Sequence, residues 1–392
     1  MPNCWRSAGP MRVCGTMRTR AAMWHDMNRC RPQIFAFIPY AVEQGVLVSP
    51  YYETPQFRAD VAQWFAPMPV DWEWRVITGD NLEVEIAKVA AISILCPTIV
   101  LNLCDGDDLN GYPGLRVVQA LAAAGIATTG ADEGFYALST SKLAMKSCFQ
   151  AADVSTAPWL EIREIDKDVR RAGEILGWPL FLKPDVSFGS AGITLRSVIR
   201  DHASGCVQAQ ALLAGLHGCR FDKDGIFAEP FLSGREFTVL MQGDAAKPDE
   251  LRVFAPCERV FHSALPREEH YLTYERYCEE YDQDTPPPPG EPYYRYAPVA
   301  AVQAAAVADL ARRAYIAVGG CGYGRIDIRS TSMEGVLYVL EVNANCGLSS
   351  DDTSTAGAIL ALSGSSMQDF ICCALQDAWK RRHGQALPLR LL

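Results

Sequence analysis

The sequence lacks any apolar run near the ~18 residues that a membrane-crossing helix needs; its longest, Val89 to Leu101, is interrupted by Ser93 and Pro97. No span of a bilayer and no membrane partner are therefore expected. Histidine is scarce, with six in 392 residues, and the 14 cysteines contain no CxxC pair and no CxxC…HxxxH spacing. That removes the usual zinc frameworks. The cysteines read as reduced, packed thiols, and with no secretory apolar segment at the start they make the cytoplasm the expected compartment. There is no GxxxxGK[ST] and no GxGxxG after a first strand, so Walker-type and Rossmann nucleotide sites lose support. No Ser-His-Asp or Cys-His arrangement for nucleophilic catalysis is visible. Net positive charge is also missing: at −10 the chain does not suit a nucleic-acid partner.

The charge is uneven. Residues 1–32 hold six Arg and a single acid, Asp26, giving +5, so residues 33–392 carry −15. This tail reads as a disordered extension or an over-long gene model, with Met11, Met17, Met23 and Met27 as further starts. An organelle-targeting peptide is the less favoured reading, because serines are few and helical periodicity is weak.

At 49% hydrophobic and 21% charged, the remainder suits two or three packed domains. Strands are predicted at Ile34 to Ile38, Trp72 to Ile77 and Thr98 to Cys104, alternating with amphipathic segments near 54–65 and 81–92, the pattern of a parallel α/β sheet. The segment Asp105 to Gly114 follows the third strand, where such sheets bind ligands, although a plain turn fits it too. A helix over 133–151, strands at Pro158 to Ile162 and Leu180 to Lys183, and a helix over 201–215 make a second unit. Strand-rich texture follows from Ile226, at Phe237 to Met241, Val253 to Ala255, Tyr323 to Ile328 and Val336 to Val342, with helices near 299–318 and 366–382. Ser263 to Pro298 reads as a long irregular loop. The expected domains are 33–132, 133–235 and 236–392, in α/β and α+β classes.

Three features carry chemistry. Ser187-Phe188-Gly189-Ser190-Ala191-Gly192 leaves a strand ending in Lys183-Pro184, and glycines beside a hydroxyl and a cation can close backbone N–H groups on a phosphate. Taken alone, the loop is better explained as an ordinary hairpin connection. Lys142 and Lys146 lie four apart on one helix face, which suits an anion or two solvated lysines. Alternation puts Arg325, Asp327 and Arg329 on one strand face and Glu341 and Asn343 on one face of the next. Hard oxygen donors without His or Cys suit Mg2+ shared with nucleotide phosphates; a salt-bridged solvent face is the alternative.

From about Val100 to His383 the sequence resembles the ATP-grasp superfamily, and within it the D-alanine-D-alanine ligases. The resemblance is carried by Val100-Leu101-Asn102-Leu103, Ser141-Lys142-Leu143-Ala144-Met145-Lys146, Phe181-Leu182-Lys183-Pro184, Gly189-Ser190-Ala191-Gly192, Glu229 to Val239, Gly324-Arg325-Ile326-Asp327 and Leu340 to Gly347, in that order. It implies an ATP-grasp fold with an N-terminal α/β domain. It also implies that Lys146 and Lys183 contact the ATP phosphates and that the loop at Gly189 and Ser190 closes over them. Glu229, Phe231 and Leu232 would form the hinge beside adenine, and Glu236 would hold the ribose. Asp327, Glu341 and Asn343 would bind one or two Mg2+, with Mn2+ as a substitute, and Arg325 would steady the oxygens of acyl transfer. The implied reaction activates a carboxylate as an acyl phosphate and couples it to an amine, with ADP and phosphate released. Small-molecule acid and amine substrates are the partners implied, and a homodimer is compatible.

Departures from that pattern concern the substrates. Asp352 stands where the family places a Ser for the second substrate's carboxylate, which suggests an amine without a carboxylate there, or with a cation; capping of a helix from Ser354 by Asp351 or Asp352 explains the pair as well. Tyr274 matches a mobile-loop Tyr, while Tyr277 stands where a Lys is usual. Glu43 falls near a position that holds the first substrate's amino group, and Gly347 ends the metal-ligand strand. Two other readings stay open. One is an ATP-grasp enzyme of specialised metabolism acting on a non-amino-acid acid or nucleophile; the other is an ATP-binding module without turnover.

Overall fold

The computed structural model describes residues 30–49, 52, 54–277 and 289–387, with the side chains of Glu43 and Tyr277 left out. The expectations for nearly all of residues 1–32, for the end of the 271–281 loop and for most of the proline run fall outside these residues.

The N-terminal sheet is built on β1 (Gln33–Pro39), followed by the small hairpin β2 (Ala41–Glu43) and β3 (Val46–Val48), then β4 (Asp71–Ile77), β5 (Thr98–Asn102) and β6 (Ala127–Thr128). Its order is β4-β1-β5-β6, all parallel. Central parallel strands are covered on both faces and so carry continuous apolar runs. Accordingly Ile34, Phe35, Ala36, Phe37 and Ile38 are all fully buried, as is β5 at Ile99, Val100 and Leu101. The helix Pro55–Phe65 opens with Thr54, whose side chain accepts from the Phe57 N–H, and with Pro55 in its first turn.

The central sheet contains β7 (Leu160–Ile162), β8 (Leu180–Pro184), β9 (Val198–Ile199) and β10 (Ile226–Pro230), in antiparallel order β7-β10-β8-β9. The helices Ile165–Leu176 and His202–Ala214 cover one face of it. The third sheet holds β11 (Glu236–Gln242), β12 (Arg252–Val253), β13 (Cys257–Phe261), β14 (Tyr294–Pro298), β15 (Tyr323–Ser330) and β16 (Leu337–Ala344), ordered β14-β13-β11-β15-β16 with β12 on β11. The helix Ala301–Ala317 buries Val307, Leu310 and Ala314 against Ile326, Ile328 and Val342 on one face of this sheet. The other face carries Glu236, Thr238, Arg325 and Asp327, while Leu240, Cys257 and Tyr323 pack in a core with Ile359 and Phe370.

Two corrections to the sequence-based expectations bear on the site. The predicted 133–151 helix is two helices, Glu133–Thr140 and Lys142–Ala151, because Ser141 ends the first and caps the second by accepting from the Ala144 N–H. The predicted irregular stretch before Pro298 ends in β14, which completes the third sheet. No single described helix is long and apolar enough to cross a membrane.

Candidate functional site

β8 delivers Lys183, β10 delivers Glu229 and the Lys142–Ala151 helix delivers Lys146. Their side chains meet: Glu229 Oε2 lies 2.6 Å from Lys146 Nζ, and Oε1 lies 2.7 Å from Lys183 Nζ. All three are buried. Lys146 Nζ also donates to the Ala157 carbonyl at 2.9 Å and to Thr156 Oγ1 at 3.0 Å. Burial pushes the Glu229 carboxyl up, but the two ammonium groups outweigh it and bring the group down to about 2. Burial lowers Lys146 from its ordinary value, partly offset by Glu229. Two cations sharing one carboxylate leave net positive charge in the cleft, which suits a polyanion.

The glycine-rich loop is fastened at both ends. Asp185 accepts from Ser141 Oγ at 2.8 Å and from the Leu143 N–H at 2.7 Å, tying the loop's start to the helix that carries Lys142 and Lys146. Lys142 Nζ donates to Ser187 O at 3.2 Å and Ser187 Oγ at 3.1 Å. Ser190 has φ +61°, next to Gly189 at +55°, so this turn holds a non-glycine residue in the left-handed region. Beyond it, the Gly192 N–H donates to His217 Nδ1 at 3.0 Å, and His217 Nε2 lies 3.1 Å from Glu275 Oε1. The His217 ring stacks on Tyr274 at 4.1 Å, and the Tyr274 N–H donates to the Ile193 carbonyl at 2.9 Å. The loop is thus folded down against the Tyr274–Tyr277 helix.

On the open face of the third sheet, register places Asp327 opposite Glu341 and Arg325 opposite Asn343. Arg325 grips Asp327 through Nη2 to Oδ2 at 2.8 Å and Nε to Oδ1 at 3.1 Å. Asn343 Nδ2 donates to Asp327 Oδ2 at 3.0 Å and to Glu341 Oε1 at 3.4 Å, and Thr238 Oγ1 donates to Asp327 Oδ1 at 2.9 Å. Burial pushes Asp327 up, yet Arg325 beside it holds the carboxyl below its ordinary range. Three oxygen-bearing side chains within hydrogen-bond reach, with no His or Cys among them, fit a hard divalent cation. The lysine cluster and this trio face the same cleft, since Lys142 Nζ lies 3.5 Å from Glu341 Oε2.

At the segment expected to be the hinge, Phe231 stacks on Phe181 with centroids 6.1 Å apart, Tyr271 meets both rings edge-on, and Leu232 is buried. Glu236, expected at the ribose, is engaged by Arg259 and by Arg329 Nη1, the latter at 2.9 Å. Ser354, and neither aspartate, caps the helix Thr355–Leu362; Asp351 instead accepts from the Thr353 N–H at 2.8 Å, and Asp352 is exposed. Glu43 pairs with Val46 at the tip of the β2–β3 hairpin.

Several contacts of the site are hidden in the sequence, although Asn345 lies in the Leu340 to Gly347 run and Asp105 opens the Asp105 to Gly114 segment. Asn345, at φ +49°, accepts from the Ala131 N–H at 2.8 Å and donates to the Cys104 carbonyl at 3.4 Å, joining the first and third sheets. Gly130 must be glycine, because a Cβ there would come within 2.0 Å of Asn345 Oδ1. Tyr52 and Asp105 meet through a 3.1 Å hydrogen bond. The left-handed backbone at Asn345 has a local sequence signal, an Asn just past a strand.

Two α+β units closing on a lysine-lined cleft, behind an N-terminal parallel sheet, define an ATP-grasp fold. The chain belongs to the family described as D-ala D-ala ligase C-terminus, which matches residues 148–375, more than half of its length. A D-alanine--D-alanine ligase of Bordetella petrii is 31% identical over 231 residues, 59% of this chain and 62% of that protein. The chain therefore spans just under two thirds of that relative. One from Xylella fastidiosa is 29% identical over 252 residues, 64% of this chain and 72% of that protein. Two structures of D-alanine--D-alanine ligase from Bacillus anthracis match 90% of this chain and 99% of theirs: one complexed with ATP, with TM-score 0.56 and 15% identity, and one with TM-score 0.60 and 14% identity. At these identities the structural likeness shows the fold.

Proposed function

We propose that the chain is an ATP-dependent ligase that activates a carboxylate as an acyl phosphate and joins it to an amine, releasing ADP and phosphate. The observation that carries this reading is the convergence of Lys142, Lys146 and Lys183 on the cleft that also receives Asp327, Glu341 and Asn343. Family membership and the two ligase relatives support it.

In this reading Lys146 and Lys183 hold the nucleotide phosphates, each exchanging part of its contact with Glu229 for phosphate oxygens. The backbone of Gly189 and Ser190 covers the phosphates and keeps water from the reacting group. Phe231 and Leu232 flank the base. Asp327, Glu341 and Asn343 would hold one or two Mg2+, which when bound draw charge from the transferring phosphoryl group. Arg325, whose guanidinium is fixed by Asp327, faces the oxygens that gain charge as the carboxylate attacks and as the amine later displaces phosphate. No protein nucleophile is needed, and catalysis rests on positioning and fixed charge.

Incubation of the full chain with ATP, Mg2+ and pools of acids and amines, read by phosphate release and by mass spectrometry of the product, tests the reading. Release that depends on an acid and an amine together is expected. Nucleotide binding with no stimulated release would replace the ligase with a binding module.

A further inference from the structure

The two helices that cover the central sheet bring together three donor atoms that play no part in the cleft. His202 opens the helix His202–Ala214 and Cys206 follows one turn later, so their i, i+4 spacing puts both on one helix face. Asp166 lies in the first turn of the neighbouring helix Ile165–Leu176. Gly205 lets the two helices close on each other, since a Cβ there would come within 2.5 Å of Val169 Cγ1, one turn beyond Asp166. Both first turns are also fixed. Asp201 accepts from the Ser204 N–H at 2.8 Å, and Asp168 accepts from the Arg163 and Glu164 N–H groups at 2.9 and 2.8 Å.

At this seam His202 Nε2 lies 3.3 Å from Asp166 Oδ1 and 3.4 Å from Cys206 Sγ, and the three donor atoms all fall within 4.8 Å of one another. Tetrahedral Zn2+, with bonds of about 2.0–2.1 Å to nitrogen, 2.3 Å to sulfur and 2.0–2.2 Å to oxygen, sets N···O and N···S separations of about 3.4 and 3.6 Å. The two separations here agree with those to about 0.2 Å, the tolerance expected of such a site. A thiol, an imidazole and a carboxylate suit Zn2+ or a neighbouring first-row ion and not Mg2+, the reverse of the Asp327, Glu341 and Asn343 set. Nε2 also lies 2.9 Å from the Asp166 carbonyl oxygen, and Arg170 Nη2 approaches the other carboxylate oxygen at 3.7 Å. On metal binding the imidazole keeps its single proton on Nδ1 and the thiol gives its proton to water, so that thiolate and carboxylate together balance a divalent charge. Asp166 is exposed, so an ion enters from solvent and water completes the fourth position.

We propose that Asp166, His202 and Cys206 form a metal site for Zn2+ or a like divalent ion, which clips the two helices together on the back of the central unit. Leu182 and Ala228 pack toward these helices, so Lys183 and Glu229, next to them on β8 and β10, face the other way. The site is therefore separate from the cleft and depends on no part of the ligase reading. Cysteine and histidine spacing hides it, because Asp166 stands 36 positions before His202.

The test is titration of the metal-free full chain with Co2+, in excess Mg2+ so that sites made of oxygen alone are filled. Binding is read by the thiolate-to-cobalt absorption band and then by displacement with Zn2+. The first equivalent should give the band and Cys206→Ser should remove it, while Cys372→Ser, on another helix, should leave it unchanged. His202→Asn should weaken Zn2+ about 100-fold or more, beyond the roughly 10- to 100-fold typical of losing an outer partner of a ligand. Asp166→Asn should weaken it less. Zn2+ should raise the thermal-unfolding midpoint of the parent and leave that of Cys206→Ser where it was. The His202→Asn titration keeps the test available if Cys206→Ser does not fold. No thiolate band in the parent, or an equal band in Cys206→Ser, or equal Zn2+ affinity in His202→Asn, would overturn the inference and leave His202 with its hydrogen bond alone.

Discussion

Lys142 and Glu341 approach to 3.5 Å across the cleft, joining the helix that follows Ser141 to the strand that carries Glu341 and Asn343. The same ammonium also holds Ser187. One side chain thus sets the position of the Ser187 loop relative to the strand face that bears Asp327, Glu341 and Asn343. Lys142→Ala should raise KM for ATP about 10-fold or more, the usual effect of losing a charge-assisted hydrogen bond. Steady-state kinetics with varied ATP check this, and an unchanged KM would leave Lys142 with a purely structural part.

Glu229→Gln removes the charge shared by two buried lysines. Stability should fall by about 3–5 kcal/mol, the cost of breaking a buried pair from one side, as read from urea denaturation. The sign with pH follows from a folded value of about 2, below the ordinary carboxyl value. That contribution is full above the unfolded pKa, about 4.3, and is lost as pH falls toward 2. The parent should lose stability across this acid window while Glu229→Gln stays comparatively flat.

Asp105 runs the other way. Burial raises its carboxyl from 3.8 to about 6, against the lowering effects of Tyr52 and Arg325. The folded state then holds the proton more tightly than the unfolded chain, so stability declines as pH rises from about 4 to 6 and stays lower above it. Asp105→Asn should therefore be more stable than the parent at pH 7 by about 1–3 kcal/mol and indistinguishable from it near pH 3.5. Thermal unfolding at the two pH values measures the difference.

Arg325→Ala should lower turnover 100-fold or more, the effect of losing one preorganised donor to developing charge. Binding of a non-hydrolysable ATP analogue should change little. An unchanged rate would take Arg325 out of the reaction.

The elements legible in the sequence are those whose signal is local. β1, β4 and β5 show apolar runs bounded by turn residues, and alternation in β15 and β16 puts Asp327 and Glu341 on polar strand faces, which the register then brings opposite each other. The break at Ser141 is not legible, because Asp185, 44 residues away, shares that serine's hydroxyl. Nor is β14, whose pairing with β13 crosses a long insertion. At the site, motif order alone picks out Lys146 and Lys183. Their joint hold on Glu229 is hidden, as is the Tyr52–Asp105 pair, since each brings together residues more than 40 positions apart. Pattern reports which way a side chain faces; it does not report what comes to face it.

Asn345 bonds to both Ala131 and Cys104, and the Arg381 guanidinium donates to the Thr128 and Gly130 carbonyls at 2.9 and 3.0 Å. The first and last thirds of the chain are stitched together by these bonds as a single jaw. The middle third is the opposing jaw, and it meets the other at several points, among them Lys142–Glu341, the Thr156–Val339 bridge, His217–Glu275 and the Tyr274–Ile193 backbone bond. Any parting of the jaws has to pull on the short span from Lys142 to Thr156, where two of these links begin.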